Sequence, residues 1–529
     1  MLQSPPLGII RRYDVTMFAA QNYSLRLKLL LFFAVVLSFF FNAYSIPLFD
    51  VDEGAFSEAT REMFVRGDFI STYLNGVPRY DKPILIYWLQ ALSIGLFGIN
   101  EFAFRLPSIL AATGWVWISF LFVRRVKGTE TGLIAAILVA TALSVSIIAK
   151  AATADALLNF LIAASMYTVY LYYLERRDSY LLACYGLMGL GFLTKGPVAV
   201  LIPLAVSFIF FGIKRDLRSW LTAVTHRRGI GLFVLIAAPW YIVQYIKQGQ
   251  PFIEGFFMKH NMSRFEGPME GHGGSLFYYI PVVLFGVIPY TSVALKTLFR
   301  SKTIIKNDFQ LYLLIWFLFV FVFFSLSGTK LPHYMNYGLS GFLLLMAIYI
   351  DELRSRYLAL LPQLLIFITL LFLPEIIYVI LPEVKDPFVH DALRYDQMYF
   401  SFFYRAYFLL AIAVTLYFML EKRFSIKNKL MISGLIMVIA VSGFVFPVVA
   451  KVLQDPVKEA ALISKREGYK VVMWHIDMPS FSVYSQQIVP SKDPEVGEVV
   501  LTKTQYLDEL KSYEMLYSKN GISLVRVTQ

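Results

Sequence analysis

Apolar runs recur along this chain, each closed by a short polar segment. A run of roughly 20 residues makes a helix long enough to cross the ~30 Å of a bilayer core. On that measure spans are predicted near 27–46, 104–123, 130–149, 155–174, 180–195, 197–213 and 229–246. More follow near 275–298, 309–327, 333–351, 357–381, 402–420 and 429–450, about thirteen helices in all. The stretch Ile84–Phe97 is apolar but short, and is expected to lie in the membrane interface. A second amphipathic helix is expected from Asp52 onward. Its apolar side would be Phe56, Ala59, Met63 and Phe64, with Glu58 and Glu62 on a solvated face.

After Ala450 the pattern changes. Asp455-Pro456 opens a helix with an acidic start and proline in its first turn. Short strands are expected around 469–474, 497–501 and 522–527. The fold class is therefore an all-α polytopic membrane domain with interfacial helices and a small C-terminal α/β domain. The membrane domain covers 1–450, including a first extracytoplasmic loop at 47–103, and the small domain covers 451–529.

Composition agrees: of 529 residues 58% are hydrophobic and only 16% charged, a membrane-protein balance. The net charge of +12 does not point to nucleic acid, because the basic residues sit in short loops. Cys184 is the sole cysteine, which excludes an intrachain disulfide and a cysteine metal site. The first 21 residues lack a cleavable signal pattern, so the first span is expected to remain as an anchor. Basic clusters at 124–127, 176–177, 214–228, 296–306, 354–356 and 422–429 fall on one side of the predicted spans, the cytoplasmic side by the positive-inside rule.

The opposite face gathers the unusual residues. Asp52 and Glu53 stand at the outer end of the first span, where ionised groups beside hydrocarbon are costly and often functional. Asp155 opens a long apolar helix, as a functional acid or as a partner of the helix dipole. Lys82, in Asp81-Lys82-Pro83, either holds a phosphate or snorkels to the interface. Thr194-Lys195-Gly196, Thr329-Lys330-Leu331 and the loop with Lys259, His260, Arg264 and His272 add three basic turns. No Walker loop, dinucleotide fingerprint, nucleophile elbow or zinc helix is present. A substrate donor would have to arrive already activated, most simply as a lipid-phosphate sugar.

Several motifs together resemble the glycosyltransferase C enzymes. They are Asp52-Glu53 with Ser57-Glu58-x-x-Arg61-Glu62-Met63, Asn75-Gly76-Val77, and Tyr80-Asp81-Lys82-Pro83-x-x-x-Tyr87-Trp88. Phe97-Gly98-x-Asn100-x-Phe102-x-x-Arg105, Gly191 to Gly196, Pro239-Trp240, His260-x-x-x-Arg264-Phe265 and Lys330-Leu331-Pro332-x-Tyr334 continue the set. Within the protein O-mannosyltransferase superfamily the chain looks most like the lipid A aminoarabinose transferase branch. Asp81 stands where that branch usually has Glu.

The resemblance implies a glycosyltransferase in the bacterial inner membrane, with its site and C-terminal domain periplasmic. Its donor would be a sugar on undecaprenyl phosphate. Its acceptor would be lipid A, another envelope glycan or a protein. Asp52 and Asp155, with Glu53 beside them, would be the catalytic acids. Lys82 and Arg264, with Tyr334, would contact the donor phosphate, and Tyr80, Lys195 and Lys330 would complete the substrate site. No cofactor is required; a divalent metal (Zn, Mg or Mn) would sit on Asp81 and His260, with His475 as a further ligand. The implied partners are membrane lipids rather than nucleic acid, and the chain is expected to act as a monomer. The rival class is a secondary transporter or lipid flippase. Nearly charge-free span centres weigh against it.

Overall fold

The computed structural model describes residues 24–262, 267, 273–394 and 396–529. Among the described residues six helices are long and apolar enough to cross a membrane: Glu101–Lys127, Asp155–Glu175, Arg227–Gln248, Asp308–Leu326, Phe402–Leu420 and Ile426–Leu453. A seventh crossing is a pair, Arg356–Leu371 and Leu373–Glu383, bent by 60° at the break. Pro374 explains the bend, since proline in a helix clashes with the carbonyl four residues earlier. That carbonyl, on Leu370, accepts a hydrogen bond from the Tyr404 hydroxyl at 2.8 Å.

Other predicted spans are shorter or broken, so length and composition alone do not return thirteen uninterrupted helices. The 130–149 run divides at Ala142 into Thr129–Thr141 and Leu143–Ile148. There the backbone turns extended and the Leu143 amide donates to Ile288 O. The 275–298 run becomes Tyr279–Gly286 and Thr291–Leu298, on either side of Pro289. Outward faces remain apolar: Leu235 and Ile246 of the Arg227–Gln248 helix are 71% and 77% exposed. A contiguous apolar exterior of this kind has hydrocarbon as its natural solvent. The inner faces are knit by buried aromatic residues such as Trp115, whose indole N–H donates to Ser340 Oγ, and Trp316.

The Leu85–Phe97 helix has one buried and one exposed apolar face. It buries Ile86, Tyr87, Gln90 and Ile94 and leaves Leu92, Leu96 and Phe97 exposed. In the Asp52–Arg66 helix Glu58 and Glu62 are fully buried rather than solvated. Glu58 accepts two hydrogen bonds from Arg61, both at 2.7 Å. Glu62 pairs with Arg66 and accepts from the Gly76 amide. The reason is that a second layer covers the helix: the tail segment Pro479–Ser485 packs on it from outside.

That segment belongs to a small C-terminal sheet. With β1 (Tyr73–Leu74) and β2 (Val77–Pro78) forming a hairpin in the first loop, the tail strands are β3 (Val471–Met473), β4 (Val499–Lys503), β5 (Tyr513–Lys519) and β6 (Ile522–Val527). Their order is β3-β4-β6-β5, with β3 parallel to β4 and the other pairs antiparallel. The Asp455–Glu467 helix covers one face through Val457, Ala460 and Ala461. Strand β5 was absent from the sequence expectation, since its alternation is polar and half exposed.

Specific polar contacts bind the tail to the membrane unit. The Ser480 amide and hydroxyl both donate to Asp50. Tyr484 OH accepts from the Leu48 amide and donates to Glu101, which also pairs with Lys458. Arg61 reaches Gln487 O at 2.8 Å. The approach is so close at Gly54 that a Cβ there would lie 2.0 Å from Asp50 Oδ1 and 2.6 Å from the Ser480 nitrogen. Gly54→Ala is therefore expected to destabilise the protein by about 1–3 kcal/mol through overpacking. It should also speed proteolytic release of the tail. Unchanged melting and unchanged proteolysis would contradict this packing.

Candidate active site

The hairpin delivers the first part of the site. Asn75 and Gly76 both adopt positive φ, the geometry that a two-residue hairpin turn demands and that Asn-Gly supplies. Register pairs Tyr73 with Pro78 and Leu74 with Val77, so Arg79 to Lys82 follow directly from the hairpin. Tyr80 OH donates to Gln248 at 3.0 Å, and its ring meets Phe252 edge-on. Lys82 Nζ donates to Asp81 O at 3.1 Å and lies 3.5 Å from the Asp81 carboxylate.

Arg79, which sequence reasoning passed over, forks onto Asp81 at 2.5 and 2.8 Å. Its guanidinium carbon stands 5.2 Å from the Phe56 ring centroid. Its Nη1 is buried, and the fully buried Tyr87 hydroxyl is its neighbour.

These residues line a polar cavity of about 830 Å³. Its cations are Arg79, Lys82, Lys195 and Lys259; its carboxylates are Asp52, Asp81, Asp155 and Asp477. Asp155 is held by Lys195 Nζ at 2.6 Å, by Tyr337 OH at 3.2 Å and by Thr153 Oγ1 at 3.3 Å. Lys195 lies 5.7 and 5.6 Å from the Tyr334 and Tyr337 ring centroids. His333 Nε2 approaches Asp155 Oδ1 at 3.8 Å. Burial, opposed by the Asp155 charge and aided by Lys195, pushes the His333 imidazole down to about 4. Asp477 comes from the tail, and burial raises its carboxyl above the usual range.

A second cavity of about 420 Å³ shares Asp52, Thr153, Asp155 and His333 with the first. Its far walls are apolar: Ile46, Phe49, Ile147, Val445, Phe446 and Val449. Asp52 is exposed to both cavities, and its carboxylate has no hydrogen-bond partner among the described residues.

Several expectations change at this point. Glu53 is committed to an ion pair in the wall of the second cavity. It is buried, receives Arg105 Nε and Nη2 at 2.8 and 2.7 Å, and accepts from the Ala152 and Phe49 amides. Lys330 does not reach the cavity; it is buried and its Nζ donates to Ser327 O. Tyr334 is buried behind Lys195, against Phe324 and Tyr337, so any substrate contact would be indirect.

The residues described do not fit the expected metal. Asp81 is already engaged by Arg79 and Lys82, and His475 packs on Trp474 and Tyr506 beside Glu509. Among the described residues no three His, Cys, Asp or Glu side chains converge. The side chain of His260, together with Arg264 and His272, lies outside the described residues.

Residues 81–243 match the family model for dolichyl-phosphate-mannose-protein mannosyltransferase. An uncharacterised Aquifex aeolicus protein is 32% identical over 322 residues, 60% of this chain and 72% of that one. The chain belongs to the glycosyltransferase C superfamily.

Among named superfamily members, the undecaprenyl phosphate-alpha-4-amino-4-deoxy-L-arabinose arabinosyl transferase of Yersinia enterocolitica is 30% identical over 335 residues. Arabinosyl transferase 1 of Proteus mirabilis, named for the same undecaprenyl phosphate-linked sugar, is 31% identical over 345 residues. Those matches cover 61% and 63% of this chain but only 60% and 61% of the two transferases' length. The fold is that of the crystal structure of ArnT from Cupriavidus metallidurans bound to undecaprenyl phosphate. Its TM-score is 0.79 at 19% identity, over 94% of this chain and 97% of that one.

His333 gives a pH test. Its folded-state value lies below the unfolded one, near 6.5. The stability it contributes is thus present above pH 6.5 and lost as pH falls toward 4. His333→Gln is expected to shallow the loss of melting temperature over that window. An unchanged slope would show that the imidazole is solvated instead.

Proposed function

We propose that the protein transfers a sugar from undecaprenyl phosphate to an acceptor at the periplasmic face of the bacterial inner membrane, and that the acceptor is a lipid A phosphate. The observation that carries the reading is the meeting of two unlike cavities at Asp52, Asp155 and His333. The charged one, which carries both signs, suits a phosphate and a sugar; the largely apolar one suits a hydrocarbon chain. The names of the Yersinia and Proteus relatives, and the lipid bound to the Cupriavidus protein, support the same class of donor. In this reading residues 1–450 form the membrane unit, 451–529 form a periplasmic domain, and the chain acts as a monomer.

The chemistry follows from the groups present. An acceptor oxygen attacks the anomeric carbon of the donor sugar. The bond from that carbon to the donor phosphate oxygen breaks, and its electron pair leaves on the lipid phosphate. Arg79 and Lys82, both in the wall of the larger cavity, offset the charge that grows there. Preorganised cations act strongly because the surrounding protein excludes water. A lipid phosphate acceptor is already anionic and needs no base; Asp52 would then orient the sugar or bind its amino group. With a hydroxyl acceptor, Asp52 would take the proton. Lys195 and Tyr337 fix Asp155 beside both.

Arg79→Gln and Lys82→Ala are each expected to weaken binding of a short-chain donor analogue by roughly 10- to 150-fold. Unchanged affinity in both would sink the phosphate role. Mass spectrometry of lipid A and envelope proteins, from cells with and without the gene, decides the acceptor. The expected loss is an aminopentose on lipid A. Loss of a protein or polysaccharide glycan would move the acceptor, and no glycan change at all would contradict transfer.

A further inference from the structure

Among the basic loops, away from the charged cavity, two loops distant in sequence close around a third cavity of about 390 Å³. Arg354, Arg356, Lys422 and Lys429 line it. Ser355 and Ser425, also in its wall, are the N-caps of the Arg356–Leu371 and Ile426–Ala440 helices. Two helix N-termini therefore open onto one basic cavity, each adding partial positive charge.

The carboxylate in the wall, Glu421, is already committed. It accepts from the Arg423 and Phe424 amides and lies 3.7 Å from Lys429 Nζ. Lys429 is buried, with its ammonium donating to the Phe418 and Glu421 carbonyls. Among the described residues no carboxylate lies within ion-pair distance of Arg354, Arg356 or Lys422. Arg356 Nε is buried and unpartnered.

Loop topology alone asks for basic residues on this face, but not for this arrangement. Here four cations gather around one hollow, and of these only Lys429 has a carboxylate within ion-pair distance among the described residues. Tyr357, Leu358 and Phe424, next to that hollow, are 51%, 62% and 51% exposed. Cations beside exposed apolar side chains match the two ends of an acidic phospholipid.

We propose that this cavity binds the phosphate headgroup of an acidic phospholipid, with the acyl chains running past Tyr357 and Phe424. It lies away from the transfer site and would anchor the bent helix pair that begins at Arg356. Binding therefore does not depend on the identity of the sugar donor.

The test uses the full-length protein in detergent, titrated with phosphatidylglycerol, phosphatidylcholine and inorganic phosphate. Native mass spectrometry reads retained lipid, and melting temperature reads stabilisation. Phosphatidylglycerol is expected to be retained and to stabilise; phosphatidylcholine is not. Arg354→Gln with Lys422→Gln, both exposed and so free to vary without unfolding, should weaken phosphatidylglycerol binding. The expected loss is about 5-fold per charge, or roughly 25-fold together. Arg125→Gln, which removes a paired cation on the same face, should leave it unchanged. Equal retention by the double variant and the wild type would overturn the proposal. Stabilisation by inorganic phosphate equal to that by phosphatidylglycerol would overturn the lipid assignment in favour of a free anion.

Discussion

The site depends on one buried ion pair, Glu53 with Arg105. Arg105 donates to both Glu53 oxygens and to the carbonyls of Ala43, Ile46 and Pro47. Glu53 in turn accepts from the Phe49 and Ala152 amides. One pair thereby joins the end of the first apolar segment, the start of the Asp52–Arg66 helix, the Glu101–Lys127 helix and the loop before Asp155. Every lone pair and proton on it is used, which is what a buried pair needs to repay its desolvation. Removing one partner would leave the other charged and buried, at a cost of about 3–5 kcal/mol. Adjacent residues on a helix point about 100° apart. Fixing Glu53 inward therefore turns Asp52 toward the cavities.

Around Asp52 the charges are arranged so that few are idle. Asp155 is held by Lys195 and Tyr337; Asp81 is held by Arg79 and Lys82. The cavity is close to neutral, with four cations facing four carboxylates. An arriving phosphate would tip that balance and draw on Arg79, Lys82, Lys195 and Lys259. The tail participates as well. Its Pro479–Ser485 segment seals the Asp52–Arg66 helix, and Asp477 enters the cavity wall. The C-terminal domain is thus part of the site's enclosure.

Much of this was legible in the sequence. Apolar runs announced the membrane class, and the resemblance named the superfamily. Asp52, Asp155, Lys82, Tyr80 and Lys195 do meet in one cavity. What stayed hidden depended on partners far along the chain. Glu58 and Glu62 read as a solvated face because nothing local reveals that residues near 480 cover them. Glu53 read like its neighbour Asp52 because both stand at the outer end of the first span, while Arg105 was one basic residue among 48 Lys and Arg. Arg79 sits only two residues from Asp81, and that spacing was the available signal. Of the broken spans, the one at Ala142 carries no local mark of a break, whereas Pro289 and Pro374 mark the other two.

The division of labour between two adjacent acids is the centre of this account. It is tested by measuring melting temperature and sugar-transfer rate side by side in Asp52→Asn and Glu53→Gln. Asp52→Asn is expected to melt like the wild type and to lose transfer. Glu53→Gln is expected to melt lower, with activity falling only as the folded fraction falls. Full transfer by Asp52→Asn, or wild-type stability with lost transfer in Glu53→Gln, would contradict it.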